Sequence, residues 1–189
     1  MGKKGQANKK AGRAGRRSAE ERGRARRGKS PLFLGAAAAI AIVVGGYYFF
    51  LGADAYPGQR VPSLGNQHIS PGADKLVRYN SDPPTSGPHD TSRPPWGIHP
   101  QPIPKGLQIH ALEDGGVIVH YGCQDCPEVI QRLQEIVARY PQHVILAPYP
   151  DMKTRLALTA WGRMDAFDEL DERRVVRFID AYRGIDHHR

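Results

Sequence analysis

Cysteine is scarce in this sequence: Cys123 and Cys126 are the two present in 189 residues. One C-x-x-C without a second pair of suitable spacing is a weak signal for a structural metal site. A nucleophile elbow, a phosphate-binding loop and an H-E-x-x-H helix are all missing, so hydrolase and nucleotide-binding readings have no support and no catalytic constellation is recognisable. No internal repeat is present. Acid is nearly absent from the first thirty residues, where Glu20 and Glu21 face twelve Lys or Arg, a net of +10. The whole chain is +8, so the other 159 residues sum to −2, and the high pI of 9.7 belongs to the tail.

Charge is absent altogether from Pro31 to Leu51, "PLFLGAAAAIAIVVGGYYFFL". At about 1.5 Å rise per residue this run just crosses a hydrocarbon core of roughly 30 Å. Tyr47 and Tyr48 sit near its far end, where aromatic rings favour the interface. A core helix of this length would show a polar face, and a signal peptide would have a shorter apolar region, although "ADA" at 53–55 resembles a cleavage site. The reading is an uncleaved single-pass anchor. A basic tail alone would suggest nucleic acid. Beside an anchor it is a topology determinant attracted to anionic lipid, and no nucleic-acid partner is expected. The sequence thus divides into a basic cytoplasmic tail (1–30), a transmembrane helix (31–51), a linker (52–75) and an outer domain (76–189), attached to a bacterial cytoplasmic membrane with its C-terminal part extracytoplasmic.

Most of the sixteen prolines fall between residues 53 and 104. Proline fixes its own φ and keeps the preceding residue out of the α region, so this stretch is extended or turning. Tyr79, Trp96, Ile98 and Ile103 are apolar residues that a bare spacer would not need, which places the part from about residue 76 on the domain. Farther on, "LQIHALE" and "VIVHY" read as strands flanking Asp114, Gly115 and Gly116, a hairpin signal. "PEVIQRLQEIVARY" (127–140) has apolar residues at Val129, Ile130, Leu133, Ile136 and Val137, the period of an amphipathic helix opening on proline. "HVILAPY" and "LALTAWG" read as strands. "DERRVVRFIDAYRG" reads as a last helix, with Asp171 as N-cap and Gly184 as stop. The order β-β-α-β-β-α predicts one α+β domain, with a thioredoxin-like arrangement as one form of it.

Two histidines and the C-x-x-C lie within "HALEDGGVIVHYGCQDCP" (110–127). A three-residue loop pairs Glu113 with Val117 and sets His110 opposite His120, with Cβ atoms about 4.5–5.5 Å apart. A two-residue loop pairs His110 with Val119 and turns His120 to the other face. Cys123 and Cys126 sit between a strand and a helix, where free amides and the helix dipole favour a thiolate. Three readings stay open for them: a structural disulfide, a thiol-disulfide redox pair, or soft ligands that join His110 and His120 around copper or zinc, copper being preferred for mixed sulfur and nitrogen donors in an oxidising compartment. His89, His99, His187 and His188 are further nitrogen donors, and Asp82, Asp90 and Asp114 could supply oxygens. A non-enzymatic interaction domain, with "SDPPTSGPHD" and Trp96 as its surface for a partner not identifiable from sequence, is the remaining alternative.

"YNSDPPTSGPH" (79–89), "WG" (96–97), "HALEDGGVIVHY" (110–121), "LTAWGR" (158–163) and "FIDAYRG" (178–184) resemble a bacterial family of single-pass membrane proteins whose outer domain has no assigned function. The resemblance spans about residues 76–189. It implies the membrane topology and a candidate site, but no activity. Members typically carry histidine where this chain has Asp114, giving H-x-L-E-H-G-G, and many lack the cysteines. The first departure weakens transfer of a three-histidine site; the second leaves the C-x-x-C either as replacement ligands or as an independent disulfide.

Overall fold

A computed structural model describes residues 56–123 and 125–188. The basic tail and the expected anchor at 31–51 lie outside the described residues. Among the described residues, no helix is long and apolar enough to cross a membrane.

Three consecutive buried runs set the architecture. Val117–Tyr121 (β3), Val144–Pro148 (β4) and Leu156–Ala160 (β5) are apolar almost throughout, the pattern of strands covered on both faces. They form the middle of a mixed six-stranded sheet ordered β1-β6-β5-β3-β4-β2, where β1 is Gln59–Arg60, β2 is Gly97–Ile98 and β6 is Arg163–Phe167. β3 runs parallel to β4, with Ile118 opposite Ile145, and antiparallel to β5, with Ile118 opposite Thr159. Period-two alternation splits the core in two. Val117 and Val119 pack with Leu146, Leu158 and Phe178 beneath Pro127–Val137 (α2) and Glu172–Tyr182 (α3). Ile118 faces the other way, with Ile145, Ala147, Ala111 and Leu112, under Lys105–Glu113 (α1). Among the described residues the fold is therefore α+β, with a mixed six-stranded sheet and three α-helices.

Several expectations hold. α2 opens on Pro127. Asp171 caps α3, accepting hydrogen bonds from the Arg173 and Arg174 amides at 3.0 and 3.2 Å, and Gly184 follows α3 with φ +80°. "LALTAWGRMDAF" turns at Trp161–Gly162 into a hairpin of β5 and β6, so the polar second strand escapes the apolar pattern that marks the first. The stretch 56–75, read from sequence as linker, contributes β1 to the sheet beside β6 and brings His68 against His89 through a parallel bridge.

The expected hairpin around Asp114 is replaced by a helix end. "LQIHALE" belongs to α1, because Leu, Gln, Ala and Glu are good helix formers and burial of Ile109, Leu112 and Glu113 follows helical spacing. Asp114-Gly115-Gly116 ends it. The Gly115 amide bonds Leu112 O at 3.1 Å and the Gly116 amide bonds Ala111 O at 2.8 Å, with Gly115 at φ +77°; these are the two bonds of a Schellman stop with glycine at the left-handed position. The triplet that signals a hairpin turn thus serves as a helix terminator. His110 and His120 are not a cross-strand pair in either register.

Candidate metal centre

On a helix, His110, Glu113 and Asp114 stand at i, i+3 and i+4 and share one face. That face meets two loop segments joined to each other through their backbones: the Ile69 amide donates to His89 O at 2.8 Å, and the His89 amide donates to Gln67 O at 2.9 Å. His68 and His89 are thereby set side by side, with ring centroids 4.9 Å apart, and each lies 5.2–5.3 Å from the His110 ring. One donor atom from each of His68, His89, His110 and Glu113 falls within 4.8 Å of all the others.

Glu113 is the centre. Its carboxylate oxygen Oε2 lies 2.9 Å from His89 Nε2, 3.5 Å from His68 Nε2, 3.5 Å from His188 Nε2 and 3.9 Å from His110 Nδ1. The Glu113 side chain is 1% exposed and that of His89 is fully buried. Burial alone would raise the Glu113 carboxyl, but hydrogen bonds from Asn66 and His89 and the neighbouring His89 and His188 outweigh it and hold the group below its usual range. Its ionised form is thereby favoured in spite of burial. Burial pushes the His110 imidazole below its ordinary value, against the pull of Asp114 and Glu113, so the neutral ring that can bind a metal is favoured there. Its Nδ1 is buried and has no hydrogen-bond partner among the described residues.

His89 carries the most informative contact. Its Nδ1 lies 2.7 Å from the Gly87 carbonyl oxygen, which can only accept, so Nδ1 donates and Nε2 is the nitrogen turned to Glu113. Metal-binding histidines are commonly oriented in this way, one ring N–H on a carbonyl and the other nitrogen free to ligate. Gly87 itself has φ +125° and packs against Tyr79 and Leu64, which makes glycine the residue that lets the carbonyl reach this position.

The chain end closes the far side of the cluster. The Gly184 amide donates to Gly115 O at 2.7 Å and the His187 amide to Glu113 O at 2.9 Å. The His187 ring stacks on Trp161, centroids 5.8 Å apart, and burial pushes it below its ordinary value. His188 points inward, its Nδ1 2.7 Å from Asp186 Oδ1; that hydrogen bond raises it above the ordinary histidine value.

Of the residues expected to ligate, the structure brings His89, His110 and His188 to one place, with His187 braced beside them. His120 is not among the clustered donors. It sits on β3, fully buried, Nε2 2.9 Å from Thr159 Oγ1 and its ring edge-on to Tyr149. Cys123 and Cys126 are joined in a disulfide with Cα atoms 5.9 Å apart, so neither offers a thiolate. His99 Nε2 donates to Pro95 O at 2.8 Å; Asp82 accepts from Lys105 and Tyr149; Asp90 is buried against Gly106. His68 and Glu113 were not anticipated. A helical reading of 105–113 would have found Glu113 through its i,i+3 spacing from His110, whereas "GNQHISPG" gives His68 no local signal.

Comparison with curated proteins finds no match, and comparison with solved structures finds none either. A family model described as a protein of unknown function (DUF3105) matches residues 70–188, beginning two residues after His68 and containing every other donor of the cluster. Because that segment covers more than half of the 189 residues, the chain belongs to the DUF3105 family.

Proposed function

We propose that the domain binds a divalent transition metal through His68, His89, His110 and Glu113. The observation that carries this reading is His89: with Nδ1 committed to Gly87 O, its Nε2 faces the ionised Glu113 carboxylate at 2.9 Å in a fully buried setting. Without a metal, that contact needs a proton held between Nε2 and the carboxylate. A metal ion in place of the proton satisfies Nε2 and the carboxylate together, and it also gives the unpartnered His110 Nδ1 a bond. Three imidazoles and one carboxylate suit Cu(II) or Zn(II). Preference for copper on the ground of sulfur ligands falls away, since both sulfurs are in the disulfide.

The apolar run at 31–51 and the +10 tail support a site held outside the cytoplasm on a single-pass anchor. A disulfide fits that oxidising side of the membrane. Metal content, measured by mass spectrometry on the full-length chain in detergent after exposure to Cu(II) or Zn(II) and removal of loosely held ions, tests the binding. Stoichiometric metal in the wild type, lost in a His89→Ala, His110→Ala double variant, is the expected result. Metal that the double variant retains in full would place binding elsewhere, and no metal in the wild type would end the proposal.

A second reading has its own observation. The C-x-x-C lies after β3, with Cys126 at the N-cap of α2 and, among the described residues, no side chain capping that helix, inside a unit whose two strands are parallel. This strand, C-x-x-C, helix, strand order is the thioredoxin-like one, and it supports a thiol-disulfide role for Cys123 and Cys126. Reduction of the pair by a glutathione buffer while the domain stays folded is the outcome that reading requires; resistance under the same conditions marks a structural bridge.

A further inference from the structure

Six side chains crowd the end of α1, and they fall into two donor sets that share one residue. His68, His89, His110 and Glu113 form the first; His110, Asp114 and His188 form the second, again with donor atoms within 4.8 Å of one another. His188 does not join His68 and His89 in one set. Donors bound to a single ion at about 2.0–2.2 Å lie at most about 4.4 Å apart, so one ion cannot gather all six where they stand.

His110 is placed to serve both. Its Nδ1 faces Glu113 Oε2 and its Nε2 faces Asp114 Oδ1, each at 3.9 Å. His188 Nε2 lies 3.5 Å from Asp114 Oδ1, and its Nδ1 is engaged by Asp186, so that, as in His89, one nitrogen is tied to an acceptor and the other is turned to a carboxylate of the cluster. The terminal segment is not a loose end. Two backbone hydrogen bonds to Gly115 and Glu113 and the His187–Trp161 stack hold it against α1.

We propose that the centre is dinuclear: a second divalent transition-metal ion binds Asp114 Oδ1, His188 Nε2 and His110 Nε2, with the His110 ring bridging it to the first. This rests on the metal reading above. A ring that ligates through both nitrogens has released its N–H proton to solvent and bridges as an imidazolate, whose negative charge offsets part of the repulsion between two cations about 6 Å apart. The second ion binds more weakly than the first. Arg93 Nε donates to Asp114 Oδ2 at 2.7 Å, bringing a positive charge to that carboxylate, and the His188 side chain is 43% exposed where Glu113 is 1%.

Titration of the metal-free full-length chain with Cu(II), read by native mass spectrometry and electron paramagnetic resonance, tests this. Two ions per chain are expected in two steps, with the resonance of the first ion altered by magnetic coupling as the second binds. An Asp114→Ala, His188→Ala variant should stop at one ion with an uncoupled signal. Saturation of the wild type at one ion would overturn the dinuclear centre while leaving the single site intact. Two ions in the double variant would remove Asp114 and His188 from it, and two uncoupled ions in the wild type would refute the shared His110. Failure to bind any copper or zinc would defeat the single-site reading and this one together.

Discussion

His120 should make the domain acid-labile by an amount that can be worked from its surroundings. The ring is fully buried on β3, with Nε2 on Thr159 and Nδ1 without a partner among the described residues. Burial pushes the imidazole from 6.5 down to about 3, with the Asp82 carboxylate opposing only in part. Below pH 6.5 the unfolded chain takes up a proton that the folded chain refuses until near pH 3, so the unfolded state binds more protons and stability falls as pH falls through that window. Each pH unit costs about 1.4 kcal/mol, giving about 2 kcal/mol near pH 5 and a ceiling of about 5 kcal/mol. Asp82 and His110 add losses of the same sign: burial would raise the Asp82 carboxyl but hydrogen bonds from Lys105 and Tyr149 hold it low, and burial lowers His110. The informative quantity is therefore the difference between wild type and His120→Gln, both with chelator present to keep metal out of the comparison. Between about pH 7.5 and pH 5 the wild type should lose about 2 kcal/mol more than the variant in urea unfolding, or about 8 °C in Tm for a domain of this size. Parallel pH curves for the two proteins would show that the buried ring is not the proton-linked group.

Three other outcomes follow from particular contacts. Glu113→Gln keeps the shape but removes the ionised oxygen on which His68, His89, His110 and His188 converge; metal affinity measured by competition with a chelator should fall by more than the roughly 10–100-fold that loss of an outer supporting partner costs, and an unchanged affinity would exclude Glu113 as a ligand. Replacing Cys123 and Cys126 together with serine opens a bridge of sequence separation 3, so stability should drop by up to about 2 kcal/mol on the loop-entropy account while metal stoichiometry stays the same; metal loss in a folded variant would reinstate sulfur in the site. Gly115→Ala forces a side chain onto a residue with φ +77° and sets its Cβ 2.7 Å from the Ile185 amide nitrogen, at a cost of about 1–3 kcal/mol. Hydrogen exchange should then show the Gly184 and His187 amides released together, and retention of their protection would mean that the α1 stop does not anchor the chain end.

Legibility in the sequence depended on whether burial of a segment followed its own periodicity. α2 and α3 lay open because their apolar stripes face one layer and their ends carry Pro127 and Asp171, and β3, β4 and β5 because strands covered on both faces need unbroken apolar runs. α1 was hidden by the opposite circumstance. It buries Gln108 and Glu113 as well as Ile109 and Leu112, so polar residues occupy its covered positions and blur the helical stripe, while Asp114-Gly115-Gly116 serves equally as a hairpin turn or a Schellman stop. That ambiguity decided the site. As strand residues, His110 and Glu113, three positions apart, project to opposite faces and Asp114 is only a turn; as helix residues, the three share one face. The histidines that complete it come from 21 and 42 positions upstream and from the chain end, and nothing local links them to it. What gathers them is backbone pairing of non-regular segments, His68 with His89 and Gly184–His187 with Gly115 and Glu113. Burying a carboxylate among four imidazoles gives up a good deal of hydration, and the chain secures that arrangement with the best-defined local device it has, a glycine-terminated helix. On the proposed metal reading, a bound cation offsets that cost by neutralising the carboxylate.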